Sequence, residues 1–275
     1  MEQEKIARAF LQEHVSLWGS CPYSRLEPYL LSCRNRSRIP PRAQTVLCAL
    51  FPYRVPVGKH NISCYAIPPD YHDIVLPMLQ KVVIRLEKEF PGNTFVAFSD
   101  NSPIPEVRAA CLSGLGCVGD HGLLIHPEYG SWVFIGEVVT DLSLPCRPRE
   151  LMGCLHCGAC VKRCPGKALE AGRLEKNRCL SHITQKKGEL SKEEKELLLQ
   201  GKLVWGCDLC QEVCPLNKNV KSTGMKQFQE DTIPVIEPGQ SAFLQGRAFQ
   251  WRPAAVIERN LEWMKEKEKT EENGV

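Results

Sequence analysis

Cys154-Leu-His-Cys157-Gly-Ala-Cys160-Val-Lys-Arg-Cys164-Pro165 and, further on, Cys207-Asp-Leu-Cys210-Gln-Glu-Val-Cys214-Pro215 are the stretches that decide how this chain is read. The first run is C-x2-C-x2-C-x3-C-P, the bacterial iron–sulfur spacing in which the fourth cysteine ligates the other of two clusters. The second run lacks its leading cysteine, and Cys179, standing alone between the runs, replaces it. The crossover rule gives one site from Cys154, Cys157, Cys160 and Cys214. Cys164, Cys179, Cys207 and Cys210 form the other. Eight of the fifteen cysteines are thereby used, and they close two 4Fe-4S clusters with none left over.

Four thiolates also suit tetrahedral zinc, but zinc modules bring their ligands as separated pairs rather than as two crossed runs. A disulfide framework belongs to small secreted domains, and the start Met1-Glu2-Gln3-Glu4-Lys5 is charged rather than signal-like. No apolar run approaches membrane-spanning length. The sequence therefore predicts a cytoplasmic protein without a membrane segment, in a compartment where thiols stay reduced.

The cysteine module needs about 65 residues, and a chain of 275 leaves a large segment upstream of it. The expected organisation is an α/β domain over residues 1–150, a ferredoxin-like double-cluster α+β module over 151–220, and a short helical extension over 221–275 whose charged end frays. The net charge of +3 is too small to argue for nucleic acid. Its distribution says more. Between Pro28 and Pro69 there is no Asp or Glu, whereas Arg34, Arg36, Arg38, Arg42, Arg54 and Lys59 all occur. Such a stretch suits phosphates, or an ordinary solvated basic face.

Apolar spacing predicts a helix from Ile6 to Trp18, a buried strand from Thr45 to Phe51, and a helix from Ile74 to Phe90. Asp73 would cap that second helix, with Pro77 in its first turn. Thr94 to Phe98 reads as a strand that delivers Asp100 to a loop, and Pro105 to Ser113 as a helix. Further strands are expected at Gly122 to Ile125 and Trp132 to Val139. Alternation of this kind argues for an α/β layer rather than a sandwich. Ser191-x-x-Glu194 is a capping box that opens a helix to Gln200.

Ser99 to Asp141 is the second informative stretch. Gly114, Gly116, Gly119 and Gly122 mark backbone that turns tightly or approaches something closely, and spacing alone leaves their ligand open. Asp100 can act as an acid or merely cap the helix after Pro103. Glu106 reads equally as a solvated first-turn acid. His72, His121, His126 and His156 read as hydrogen-bonded structural residues. Cys21, Cys33, Cys48, Cys64, Cys111, Cys117 and Cys146 read as small hydrophobes.

These residues also carry a resemblance. Ile62-Ser-Cys-Tyr-Ala66 with Asp70-Tyr-His72, Asp100-x-x-Pro103-x-x-Glu106, Gly114-Leu-Gly116, Phe134-Ile-Gly-Glu137 and Thr140-Asp-Leu142 lead into the first cysteine run. Gly206-Cys-Asp208 continues through Cys210-Gln211 to Asn217. Together they resemble the epoxyqueuosine reductases, corrinoid and iron–sulfur enzymes that finish the queuosine base of tRNA. The resemblance implies cobalamin held beside the clusters, with Gly114, Gly116 and Gly119 as candidate cofactor-binding positions and Asp100 as proton donor. It further implies a low-potential electron donor and tRNA as partners. The sequence departs from the family at Val107, Cys117, Asp120 and His121, and it lacks the helical repeats of long members. Two other readings fit the cysteines: a ferredoxin-like electron-transfer protein serving a corrinoid or flavin partner, and a corrinoid reductase of another small molecule.

Overall fold

The computed structural model describes residues 2–146, 153–170 and 173–272, and the chain forms two compact units within them. The expected boundary at 150/151 lies outside the described residues. The first unit comprises the described residues up to Pro52, Tyr71–Val118 and Leu123–Cys154. It opens with helix α1 (Glu2–Leu11), which ends well before the sequence pattern suggests. Trp18 starts strand β1 (Trp18–Pro22) instead, and its ring stacks on Phe10 with centroids 5.3 Å apart. That packing gives both aromatics the helical-looking spacing.

Strand β2 (Thr45–Pro52) is buried along its whole length. Helix α2 (His72–Glu89), β3 (Phe95–Ser99), α3 (Glu106–Leu112), the short ribbon β4 (Cys117–Val118) with β5 (Leu124–Ile125), and β6 (Val133–Thr140) complete the unit. The main sheet runs β1-β2-β6-β3, and every pair in it is antiparallel. The α/β layer thus holds, and its neighbouring strands are joined by long antiparallel returns rather than parallel crossovers. α2 begins at His72, so Asp73 lies inside it and Pro77 sits past the first turn.

The sheet has two dressed faces. A Cβ on Gly136 would lie 2.5 Å from Leu79 Cδ1 and 3.1 Å from Val75 Cγ1, so α2 presses directly onto β6. Side chains alternate along a strand, and the next residue, Glu137, therefore points to the opposite face. α3 packs there against β1, β2 and β6. Val46, Cys48, Leu50, Phe98, Ala109, Ala110 and Val139 are among the buried residues of that face.

The second unit comprises Tyr53–Asp70, Gly119–Gly122 and the described residues from Leu155 onward. Its helices are α4 (Ala159–Arg163), α5 (Leu180–Ile183), α6 (Lys192–Gly201), α7 (Leu209–Glu212), α8 (Lys226–Gln229) and α9 (Ala255–Glu272). Between α4 and α5 lies the hairpin β7 (Leu169–Glu170) and β8 (Arg173–Leu174). Both reciprocal bonds of the Ser191–Glu194 capping box are present at the start of α6. The last helix runs to Glu272, through most of the segment expected to fray. Ile62, Ile67, Val204, Trp205, Ile236, Phe249 and Ile257 form the apolar centre. Asn61 exchanges bonds with Ile236, Nδ2 donating to its carbonyl and Oδ1 accepting from its N–H, both at 2.9 Å. Asn260 Nδ2 donates to Thr184 O and Val204 O, at 2.9 and 2.8 Å. These buried amides satisfy backbone groups that no regular element serves.

Candidate active site

In the first unit β3 ends at Ser99, and the backbone then turns through two left-handed residues, Asp100 (φ 53°) and Asn101 (φ 37°). Asn and Asp tolerate this region better than most residues, and holding two in succession calls for support from neighbours. The Asn101 carbonyl accepts from Asn35 Nδ2 at 3.1 Å and from Cys33 Sγ at 3.5 Å. The turn so held aims Asp100 at the start of α2, where His72 Nε2 lies 3.1 Å from Asp100 Oδ2. Tyr71 stacks on His72 and on Phe134, with centroids 4.0 and 4.2 Å apart.

The hydrogen bond from His72 is the chief reason the Asp100 carboxyl is held below its usual range. Asp100 does not cap α3, because the cap position is Pro105 and no side chain bonds there. His72, which reads as structural in the sequence, is the residue that faces it. Glu106 is not a solvated acid either. Burial, and then the charge of Asp100, push its carboxyl up to about 7, while the Asp100 N–H donates to it.

The glycine-rich stretch is used mainly by the fold. Gly114 follows α3 with φ 71°, a left-handed helix end. A Cβ on Gly116 would meet the Ile125 carbonyl oxygen at 2.5 Å, so this glycine lets β4 close on β5. Gly119, in the second unit, accepts from the Gly122 N–H at 2.8 Å. Arg108, beside the departing Val107, lies 3.8 Å over the Tyr29 ring. His126 Nδ1 accepts from the Glu128 N–H at 3.1 Å, and His121 is buried. Asp120, another departure from the family pattern, has His156 Nδ1 2.8 Å from its Oδ1 within the second unit.

The second unit brings one of the two expected cysteine sets together. Burial pushes the Cys207 thiol up to about 12, and the thiols of Cys179 and Cys164 add to the rise. Cys210 is raised by burial too, with Cys207, Cys179 and Cys164 all contributing. Cys164, Cys179, Cys207 and Cys210 thus form a soft, half-buried donor set of four sulfurs, and a metal would draw off their protons. N–H donors already point at this set, Ala168 to Cys164 Sγ at 3.2 Å and Leu209 to Cys207. Such bonds favour thiolate ligands and tune a cluster's potential. The donor chemistry fits an iron–sulfur cluster.

Of the other set, Cys160 lies on α4 and Cys214 follows the Val213 cap of α7, and the two helices pack together. Cys160 and Cys214 are buried and Cys157 is exposed. Cys154 is the last residue of the first unit.

Asp208 sits between the second-run cysteines, wholly buried. It accepts from Ser63 Oγ and Cys64 N, both at 2.6 Å, and from Gln211 Nε2 at 3.2 Å. Trp205 bridges to Ile62 beside it, and a Cβ on Gly206 would strike Ser63 Cβ at 2.4 Å. The Ile62–Ala66 motif and the Gly206–Asp208 motif, far apart in sequence, are therefore one structural element.

Comparison with known proteins accords with this arrangement. The family model described as 4Fe-4S double cluster binding domain matches residues 153–217, and that described as Epoxyqueuosine reductase QueG, DUF1730 matches residues 34–101. The chain thus carries a double 4Fe-4S domain. It is 35% identical over 203 residues to an epoxyqueuosine reductase of Lactococcus garvieae, covering 70% of this chain and 57% of that one. It therefore spans little more than half the length of that relative. The structure of epoxyqueuosine reductase from Streptococcus thermophilus superposes with a TM-score of 0.81 at 20% identity, over 99% of this chain and 86% of that one. An epoxyqueuosine reductase crystallised with an epoxyqueuosine-modified tRNA stem loop gives 0.77 at 23%, over 95% and 80%. Both share the fold. Among the described residues no helix is long and apolar enough to cross a membrane. An epoxyqueuosine reductase of Gloeobacter violaceus is 32% identical over 263 residues, 90% of this chain and 82% of its own, and on that likeness the chain belongs to the epoxyqueuosine reductase family.

Proposed function

We propose that this protein reduces epoxyqueuosine to queuosine in tRNA, in the cytoplasm, with electrons from a low-potential donor. The observation that carries the reading is Asp100. It stands on a braced left-handed turn against His72, in a chain that also carries a double-cluster domain. Cys154, Cys157, Cys160 and Cys214 would ligate one cluster, and Cys164, Cys179, Cys207 and Cys210 the other. When bound, cobalamin supplies the reduced cobalt for the hard reductive step. The part of Gly114, Gly116 and Gly119 in holding it rests on the family resemblance, since the fold itself accounts for the geometry of the first two.

What the chain's own residues contribute is position and protons. Asp100 is the proton donor to the departing epoxide oxygen, and His72 holds it in place between turnovers. The basic stretch supports an RNA substrate. Arg34 and Arg36 are exposed on a turn from Arg34 to Arg38, and Asn35 of that turn is bonded to Asn101. Arginines placed there can grip phosphates flanking a splayed-out base while leaving the base to Asp100. The related enzyme crystallised with a modified tRNA stem loop supports the same substrate.

The test is anaerobic incubation of reconstituted protein with cobalamin, a strong reductant and epoxyqueuosine-containing tRNA, followed by nucleoside analysis. Queuosine should appear, and Asp100→Asn should abolish it while retaining iron and tRNA affinity. Wild-type protein that binds tRNA and both clusters yet forms no queuosine would overturn the reading. Normal turnover by Asp100→Asn would remove the acid role.

A further inference from the structure

The reaction leaves the source of its two protons unaccounted for. Removing an epoxide oxygen as water consumes two electrons and two protons, and Asp100 carries a single proton at a time. Behind it, on the α3 face of the sheet, lie two carboxyls that the reaction so far does not use. Glu137 is at the centre of the sheet, paired with Cys48 on one side and Phe98 on the other, with no solvent exposure. Neither of its carboxyl oxygens makes a hydrogen bond of normal geometry. Glu106 is the first residue of α3, which packs on β6. Its Oε1 is sealed from solvent without a partner, while its carboxyl accepts from the Asp100 N–H.

We propose that Glu106, backed by Glu137, is the proton store that loads Asp100 for each proton of the reduction. This rests on the functional reading given above. In the reloading step an O–H bond of the Glu106 carboxyl breaks and one forms on Asp100. Glu106 is left as the carboxylate, Asp100 becomes neutral again, and no electron moves. Glu106 recovers a proton from solvent after each transfer, and two passages supply both protons.

The arrangement suits the task. An unpaired buried carboxylate is far more costly than a neutral carboxylic acid in the same place. Asp100 is set against Glu106, and Cys21 on β1, Cys48 on β2 and the Ser102 hydroxyl are set against Glu137. None of these carries a positive charge, and only the Ser102 hydroxyl would ease a second negative one. Burial foremost, then Glu106, raises Glu137 well above its usual range, so it stays protonated. Glu106, raised to about 7, is the member able to exchange its proton under working conditions. Asp100, lowered by His72, is charged at rest and has to be loaded before it can give. The acid that touches substrate is empty, and its bonded neighbour is full.

The experiment has two readouts on the holoenzyme. Infrared difference spectra against pH, without substrate, should show a protonated-carboxyl band lost near pH 7. Glu106→Gln should abolish that band, and Asp100→Asn should move its midpoint down by removing a neighbouring negative charge. Glu137→Gln should remove a second carboxyl band that persists above pH 7. In single-turnover assays Glu106→Gln should slow queuosine formation at least about tenfold and flatten the loss of rate above pH 7, with tRNA affinity unchanged. Glu106→Asp should restore part of the rate. Absence of a carboxyl titrating near neutrality sinks this inference alone, and so does a Glu106→Gln enzyme with the wild-type pH profile. A wild-type protein with the titration intact but no queuosine formed would sink the functional reading, and the reloading of Asp100 with it.

Discussion

At the scale of single residues, the site is governed by which carboxyls are paired and which are buried. Asp100 is paired with His72 and lowered, while Glu106 is buried and raised, although only a short turn separates them. The second has a consequence for stability whose sign is fixed. The native Glu106 carboxyl titrates at about 7, against 4.5 for the ordinary side chain. Between these values the native chain keeps a proton that the unfolded chain has released, so raising the pH through this window lowers stability. Below the window both states are protonated and the group contributes nothing. Glu106→Gln should therefore narrow the fall in Tm between about pH 5 and about pH 8 in the cluster-free protein, stabilising it at the upper end. An equal fall in both proteins would mean that burial is not what raises this acid.

At the scale of elements, close approaches of backbone tie the chemistry to the fold. A Cβ built on Gly166 would stand 1.9 Å from the Arg178 carbonyl oxygen. That contact pins the turn after Cys164-Pro165 to the residue preceding Cys179, two members of one cysteine set. Backbone cannot yield as a side-chain tip can, so Gly166→Ala should cost about 1–3 kcal/mol. The reconstituted variant should lose iron from the set with Cys179 first, measured as iron per chain after desalting. Full retention of iron would show that the contact is slack. Such contacts explain what the sequence could disclose. Strands β2, β3 and β6, helix α3 and the Ser191 capping box were legible because period, caps and turn residues are local signals. Asp100 was legible as a loop acid after a strand. His72 was not, because its partner lies on the far side of α2 and β3. The burial of Glu106 depends on the sheet face that α3 covers, which no local pattern reveals. Trp18 misled because a stacked aromatic pair mimicked helical spacing.

At the scale of the whole molecule, the chain leaves and re-enters its two units, with Tyr53–Asp70 and Gly119–Gly122 joined to the cysteine-bearing unit. The first insertion explains why the Ile62–Ala66 motif accompanies the cysteine runs. Ser63 and Cys64 hand their donors to Asp208, which stands between Cys207 and Cys210. The iron–sulfur machinery thus extends beyond the matched residues 153–217 into the segment that follows β2. Its wiring is open to a direct test through the isolated cysteine. Cys179 belongs to neither run, yet its thiol acts on both Cys207 and Cys210, as does that of Cys164. The crossover rule assigns the same four residues to one cluster. Cys179→Ser should accordingly lower iron and acid-labile sulfide from about eight to about four of each per chain. The remaining cluster should keep a 4Fe-4S spectrum in the reduced state, because Cys154, Cys157, Cys160 and Cys214 are untouched. Cys157→Ser should remove the complementary half. Both variants retaining eight irons would refute the assignment. A Cys179→Ser protein that lost the same cluster signal as Cys157→Ser would place Cys179 in the other set and reverse the crossover.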